Sequence, residues 1–196
     1  VRGSERLWRD RDLRRVLIAS GVILTGIDLF QFYMPVYGHV IGLSASLIGV
    51  VLASFSVASF VVRVFMPKLV RRAGEQRVLM AALALGAATY LLFPFFRDPV
   101  LLIVVSFVLG LGLGCGQPLS MMLTYSRSPL GRSGEALGLR ITVNNFIHVV
   151  APLAFGSIAS AFGMLPVFIG NALMLATESY RNRPVAVGEK NENSGA

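Results

Sequence analysis

Residues 16–38 read VLIASGVILTGIDLFQFYMPVYG, directly after Arg14-Arg15. In these 23 residues one side chain carries a formal charge, Asp28, close to the midpoint. At about 1.5 Å rise per residue, a helix of this length crosses a ~30 Å hydrocarbon layer. A carboxylate halfway along such a helix costs roughly 2.5–3.5 kcal/mol on insertion scales, so it needs a partner, a proton or a water-filled cavity. The rest of the chain is read as the helices that build that surrounding.

The 196 residues are 55% hydrophobic with a mean hydropathy of +0.69, and the apolar residues fall in runs near twenty long. That composition defines an all-α polytopic membrane protein. Continuous runs, rather than ten-residue alternation, exclude a transmembrane barrel. The net charge of +8 raises the question of nucleic acid, and the placement of the charges answers it. Arg2, Arg6, Arg9, Arg11, Arg14 and Arg15 lie in the N-terminal arm. Lys68, Arg71, Arg72 and Arg77 lie in the second loop, Arg127, Arg132 and Arg140 in the fourth, and Arg181, Arg183 and Lys190 in the tail. Arg97 stands alone on the opposite side, and Arg63 falls inside a helix. This is a positive-inside pattern: both termini are expected in the cytoplasm of a cell whose inner membrane holds the chain, with no nucleic-acid partner. Cys115 is the one cysteine, so no intramolecular disulfide or thiolate metal site is expected. No cleavable signal peptide is evident. The chain opens on Val1 rather than Met, which points to a piece of a longer protein or an unusual start.

In order, residues 1–15 form a basic arm in which Trp8 suits an interfacial helix or a solvated linker equally. Residues 16–180 form the membrane domain, and 181–196 a polar tail. Helix 1 is Val16–Gly38. Helix 2 starts near Ser44 or Ser46 and runs to about Met66, followed by the basic loop PKLVRRAGEQR. Helix 3, about Val78–Phe96, has only Thr89 and Tyr90 as polar side chains. Helix 4, about Val100–Tyr125, contains GLGLGCGQP, whose glycines at 110/114 and 112/116 form two small-xxx-small pairs on different faces; Pro118 predicts a kink. With no preceding strand and no following Lys-Ser/Thr, this run is not a phosphate loop. SRSPLGRSGEALGLR is the longest loop. Helix 5 is about Leu137–Phe162, and helix 6, from Leu165 to about Tyr180, is short for a span.

The polar residues sort by helix. Thr25, Asp28 and Gln31 follow one another at i, i+3, i+6 on helix 1; Gln117 is on helix 4; Asn144, Asn145 and His148 are on helix 5. Helices 3 and 6 carry little comparable beyond Asn171. Helices 1, 4 and 5, with 2, are therefore expected to face a hydrated cavity, with 3 and 6 outside, and two sets of three helices hint at an inverted repeat. Each residue also has a plain reading. Asp28 is either a functional carboxylate or a structural partner of His148, Arg63 or a backbone group. His148 either lines a cavity or is a satisfied packing histidine. Asn144 and Asn145 either line it or bond helices together at about 0.6 kcal/mol each. Arg63 either acts in function or snorkels from a helix end.

Enzyme readings fail on geometry. Gly131-Arg132-Ser133-Gly134 matches the G-x-S-G of rhomboid-like intramembrane proteases, with His148 available as base. Ser133 is in a basic loop, however, and His148 is about 11 residues into helix 5, some ~16 Å deeper, outside the reach a nucleophile and its base require. His39 and His148 lie at different depths without a HxxxH or HExxH spacing, so no zinc site is expected. No cofactor is implied.

Three stretches carry a family resemblance: RVFMPKLVRRAGEQR, GLGLGCGQPLSMML and GEALGLRITVNNFIHVVAPLAFGSIASAFG. Over roughly residues 12–183 the chain resembles the C-terminal six-helix half of a major facilitator superfamily transporter. In that family the helix 2–3 loop bears G-x-x-x-D-R-x-G-R-[RK]. Here Arg72 and Gly74 match its Arg and Gly, just beyond Arg63, while Pro67, Arg71, Glu75 and Gln76 replace Gly, Asp, Arg and a basic residue. Ala151-Pro152-Leu153-Ala154-Phe155-Gly156 resembles the G-P-x-x-G-G antiporter motif only through Pro and a displaced Gly. The resemblance implies a 3+3 inverted repeat with helices 1, 2, 4 and 5 lining the pathway. It also implies transport of a small solute by alternating access, coupled to protons. It further implies an N-terminal six-helix half, in the same full-length chain or as a second copy. The alternative is a non-transporting membrane subunit or scaffold derived from such a half.

Overall fold

The computed structural model describes residues 10–129 and 131–182. The arm before Asp10, with Trp8, and the tail beyond Asn182 lie outside the described residues. What is described is helical: α1 (Arg11–Val40), α2 (Ala45–Ala73), α3 (Glu75–Leu92) followed by a 3-10 turn (Phe93–Phe95), α4 (Pro99–Leu113), α5 (Gly116–Ser126), α6 (Ser133–Phe162) and α7 (Leu165–Arg181). Five spans are long and apolar enough to cross a membrane: α1, α2, α3 with its 3-10 turn, the α4–α5 pair, and α6. With 17 residues, α7 is the short sixth member.

Local chemistry sets the helix starts. Asp10 Oδ1 accepts from the backbone N–H groups of Asp12 and Leu13 and caps α1. Ser44 Oγ accepts from Leu47 to cap α2. Asp98 Oδ1 accepts from Val100 and Leu101, with Pro99 at the first helical position of α4. Each satisfies donors that the helix itself leaves unpaired.

The helix ends differ from the hydropathy reading. The run PKLVRR is not loop: α2 continues through Pro67 to Ala73, and Gly74, at φ 83°, makes the whole turn into α3. Pro67 removes one ladder bond without ending the helix. Likewise α6 begins at Ser133, so GEALGLR is helical and the fourth loop shrinks to 127–132. At its other end α3 stops at Leu92, where Pro94 tightens the chain into the 3-10 turn.

Helix α1 is the centre of the bundle. It is buried along most of its length and touches α5, α6 and α7. On one side α3 packs against α7 and α4; on another α2 packs along α4. A cluster of Phe30, Phe55, Tyr90, Phe93 and Phe168 closes one end of the core, with Phe93 and Phe168 stacked at 5.7 Å between centroids. Tyr90 donates its hydroxyl to Gly26 O, joining α3 to α1.

The glycines of the α4–α5 run are seats for three neighbours. A Cβ at Gly110 would lie 2.4 Å from Phe55 O, and one at Gly114 would lie 2.5 Å from Ser59 Cα, both on α2. At Gly112 it would meet Ala82 O of α3 at 3.1 Å, and at Gly116 Ile23 of α1 at 2.8 Å. The 110/114 pair thus serves one helix, whereas 112 and 116 serve two. In contrast α6 and α2 leave long faces open: Phe146, Val149 and Leu153 on the first, Val57, Phe60 and Val64 on the second.

Candidate functional site

Arg140, Asn144 and His148 recur every four residues along α6 and so share one face. Each meets a polar group across the bundle. His148 Nδ1 lies 2.6 Å from Asp28 Oδ2 of α1. The approach is short but off the hydrogen-bonding direction, since Oδ2 makes no aligned bond among the described residues; the contact is a close carboxylate–imidazole approach. Asp28 is largely enclosed, at 16% side-chain exposure, while His148 is 49% exposed and opens the pair to the uncovered side of α6. One turn away, Asn144 Oδ1 accepts from Ser20 Oγ of α1 at 3.2 Å. Ser20 O in turn accepts from Gln117 Nε2 of α5 at 3.4 Å.

Arg140 completes the stripe. Its Nη2 donates to Gln117 Oε1 at 2.6 Å, to Gln117 O at 3.1 Å and to Ser120 Oγ at 2.9 Å. The side chain is 8% exposed. Arg140 is therefore not the loop cation that the charge count makes it: it sits two turns inside α6, because that helix starts at Ser133. Its spacing, four residues before Asn144 and eight before His148, is the signal by which sequence reasoning could have found it. Ser20 and Ser120 carried no such signal, because serines also occur throughout apolar helices, where they bond their own backbone.

The helical break near Pro118 supplies a second element. Pro118 has no N–H to offer the carbonyl four residues back, that of Gly114. Arg63 Nε donates to Gly114 O at 2.9 Å, filling the vacancy from α2. The discontinuity falls at Gly114-Cys115, between α4 and α5, rather than at the proline itself. Arg63, Gln117, Pro118 and Arg140, with Met66 and Met121, line a cavity of about 350 Å³.

Other expected residues lie apart from this stripe. Thr25 is buried and donates to Gly21 O of its own helix at 3.0 Å; it borders an otherwise apolar cavity of about 340 Å³ between α1 and α6. Gln31 and Asn145 are exposed. Arg72 and Gly74 sit exposed at the α2–α3 turn, away from the stripe. Ser133 and His148 are 15 residues apart on one helix, which is about 22 Å, so the hydrolytic pairing is farther from reach than a loop serine suggests. Asn171, on α7, is fully buried beside Gly26.

All-helical among its described residues, with spans of membrane-crossing length and a polar stripe joining α1, α5 and α6, the chain has the architecture of a polytopic membrane protein. Residues 16–193 match the Major Facilitator Superfamily, and the chain belongs to that family. It is also similar to the Sugar efflux transporter A of Escherichia coli (strain K12), 23% identical over 162 residues, which is 82% of this chain and 41% of that protein. The chain thus spans less than half the length of this curated relative.

Proposed function

We propose that the chain is the C-terminal half of a secondary active transporter that moves a small solute by alternating access, coupled to protons. A six-helix half, in the same full-length protein or in a second copy, closes the pathway against the open faces of α2 and α6. The observation that carries the reading is the stripe Arg140–Asn144–His148, engaged with Gln117, Ser20 and Asp28. A row of polar and ionisable groups at membrane depth is costly and is retained where it serves a pathway. Asp28 and His148 are the pair assigned to the proton, because a carboxylate and an imidazole can each hold one and these two touch. Gln117, Asn144 and Asn145, with Gln31 nearer the end of α1, offer donors and acceptors suited to a hydroxylated solute. The similarity to a sugar efflux transporter makes sugars the first class to test.

By the charge pattern the basic turns at Gly74 and 127–132 face the cytoplasm, and Gly42 and Gly163 the outside. Pro35, Pro67 and Pro152 inside α1, α2 and α6, and Pro118 in the first turn of α5, withhold a donor from the carbonyls of Gln31, Arg63, His148 and Gly114, each four residues back. The test is flux. Proteoliposomes containing this chain with its complementary half are given an imposed proton gradient and a panel of radiolabelled sugars. Gradient-dependent movement of at least one sugar is expected; flux that ignores the gradient for every solute would reject proton coupling.

A further inference from the structure

The cavity between α2, α5 and α6 holds two guanidinium groups and no acid among its lining residues. Among the described residues, Arg140 has only neutral acceptors as partners, the carbonyl and amide of Gln117 and the hydroxyl of Ser120, and its buried Nε has none. Arg63 fixes one nitrogen on Gly114 O and lines the same space. A buried cation without a counter-charge is expensive, and here a second cation adds to the cost. Guanidinium forks match the planar or tetrahedral oxygens of carboxylates and phosphates, and a positively lined cleft with apolar walls concentrates such ions. Met66, Pro118 and Met121 provide those walls.

We propose that this cavity is an oxyanion-binding site, in which Arg63 and Arg140 jointly hold a carboxylate or phosphate group. The inference deepens the transport reading by giving the solute a negative charge, as in an acidic or phosphorylated sugar. The same group could instead arrive on a lipid headgroup. The fixed Gln117–Arg140 contact orients the receiving fork, and the Pro118 break keeps the Arg63 anchor beside it.

Binding is measured without flux, which separates this inference from the transport reading. The purified chain in phosphatidylcholine nanodiscs is titrated calorimetrically with inorganic phosphate. One saturable site is expected, weakened about tenfold or more by Arg63→Gln and by Arg140→Gln. Arg140→Lys should keep most of it, and Arg97→Gln, at the opposite end, all of it. Repeating the titration in nanodiscs containing phosphatidylglycerol identifies the source. Competitive weakening assigns the site to a headgroup and no weakening assigns it to a soluble anion; either outcome upholds the oxyanion site. Absence of saturable binding, or binding indifferent to both Arg63→Gln and Arg140→Gln, overturns it. A proton-driven flux of neutral sugars with no phosphate binding would sink this inference while leaving transport intact.

Discussion

Arg63 Nε donates 2.9 Å to the carbonyl of Gly114, the acceptor that Pro118 leaves without its helical donor. An arginine on α2 thereby bonds the break in the neighbouring span, and just beyond the break Gln117 bonds both Ser20 and Arg140. The proline and the arginine are two parts of one device.

That coupling is measurable as a double-mutant cycle. Arg63→Met should destabilise the folded chain by about 1.5–3 kcal/mol, the range for hydrogen bonds to charged groups. In a Pro118→Ala background, where residue 118 can donate to Gly114 itself, the same substitution should cost distinctly less. Equal costs in both backgrounds, read from denaturant unfolding in detergent, would show that the two residues act independently.

The glycine seats predict a sharp positional contrast. Gly110→Ala puts a methyl group 2.4 Å from Phe55 O and should cost about 1–3 kcal/mol through displacement of α2. Gly138→Ala, where nothing lies within 4 Å, should be neutral or slightly stabilising in its helix. Thermal stability of the two variants by size-exclusion chromatography checks this; a tolerated Gly110→Ala would mean that α2 and α4 do not approach as described.

Much of this was legible in the sequence, and the gaps have physical causes. Span number and the sorting of Asp28, Gln117, Asn144 and His148 onto helices 1, 4 and 5 follow from hydropathy and helical spacing. Helix ends did not, because basic residues flanking a span read as loop in hydropathy while remaining good helix formers: PKLVRR and GEALGLR are helical for that reason. Arg140 was hidden by the same effect, counted with the loop although it points inward from a helix. The paired glycines were visible as a pattern, but which helix each one seats depends on the bundle, not on spacing.

Orientation is the third prediction. On a Cys115→Ala background, single cysteines at Gly42 and Gly131, both exposed turn positions, are probed with an impermeant maleimide on intact cells. Gly42→Cys should label from outside, and Gly131→Cys only after permeabilisation. The reverse pattern would invert the proposed topology.

The contact between His148 Nδ1 and Asp28 Oδ2, 2.6 Å, is the centre of the proposed mechanism, and one substitution tests it most directly. Asp28→Asn keeps size and hydrogen bonding but cannot exchange a proton. In proteoliposomes of the complete transporter under an imposed proton gradient, accumulation should fall by more than about tenfold, while downhill exchange and folded yield persist. Asp28→Glu should retain part of the activity. Wild-type, gradient-driven accumulation by a well-folded Asp28→Asn protein would contradict the account.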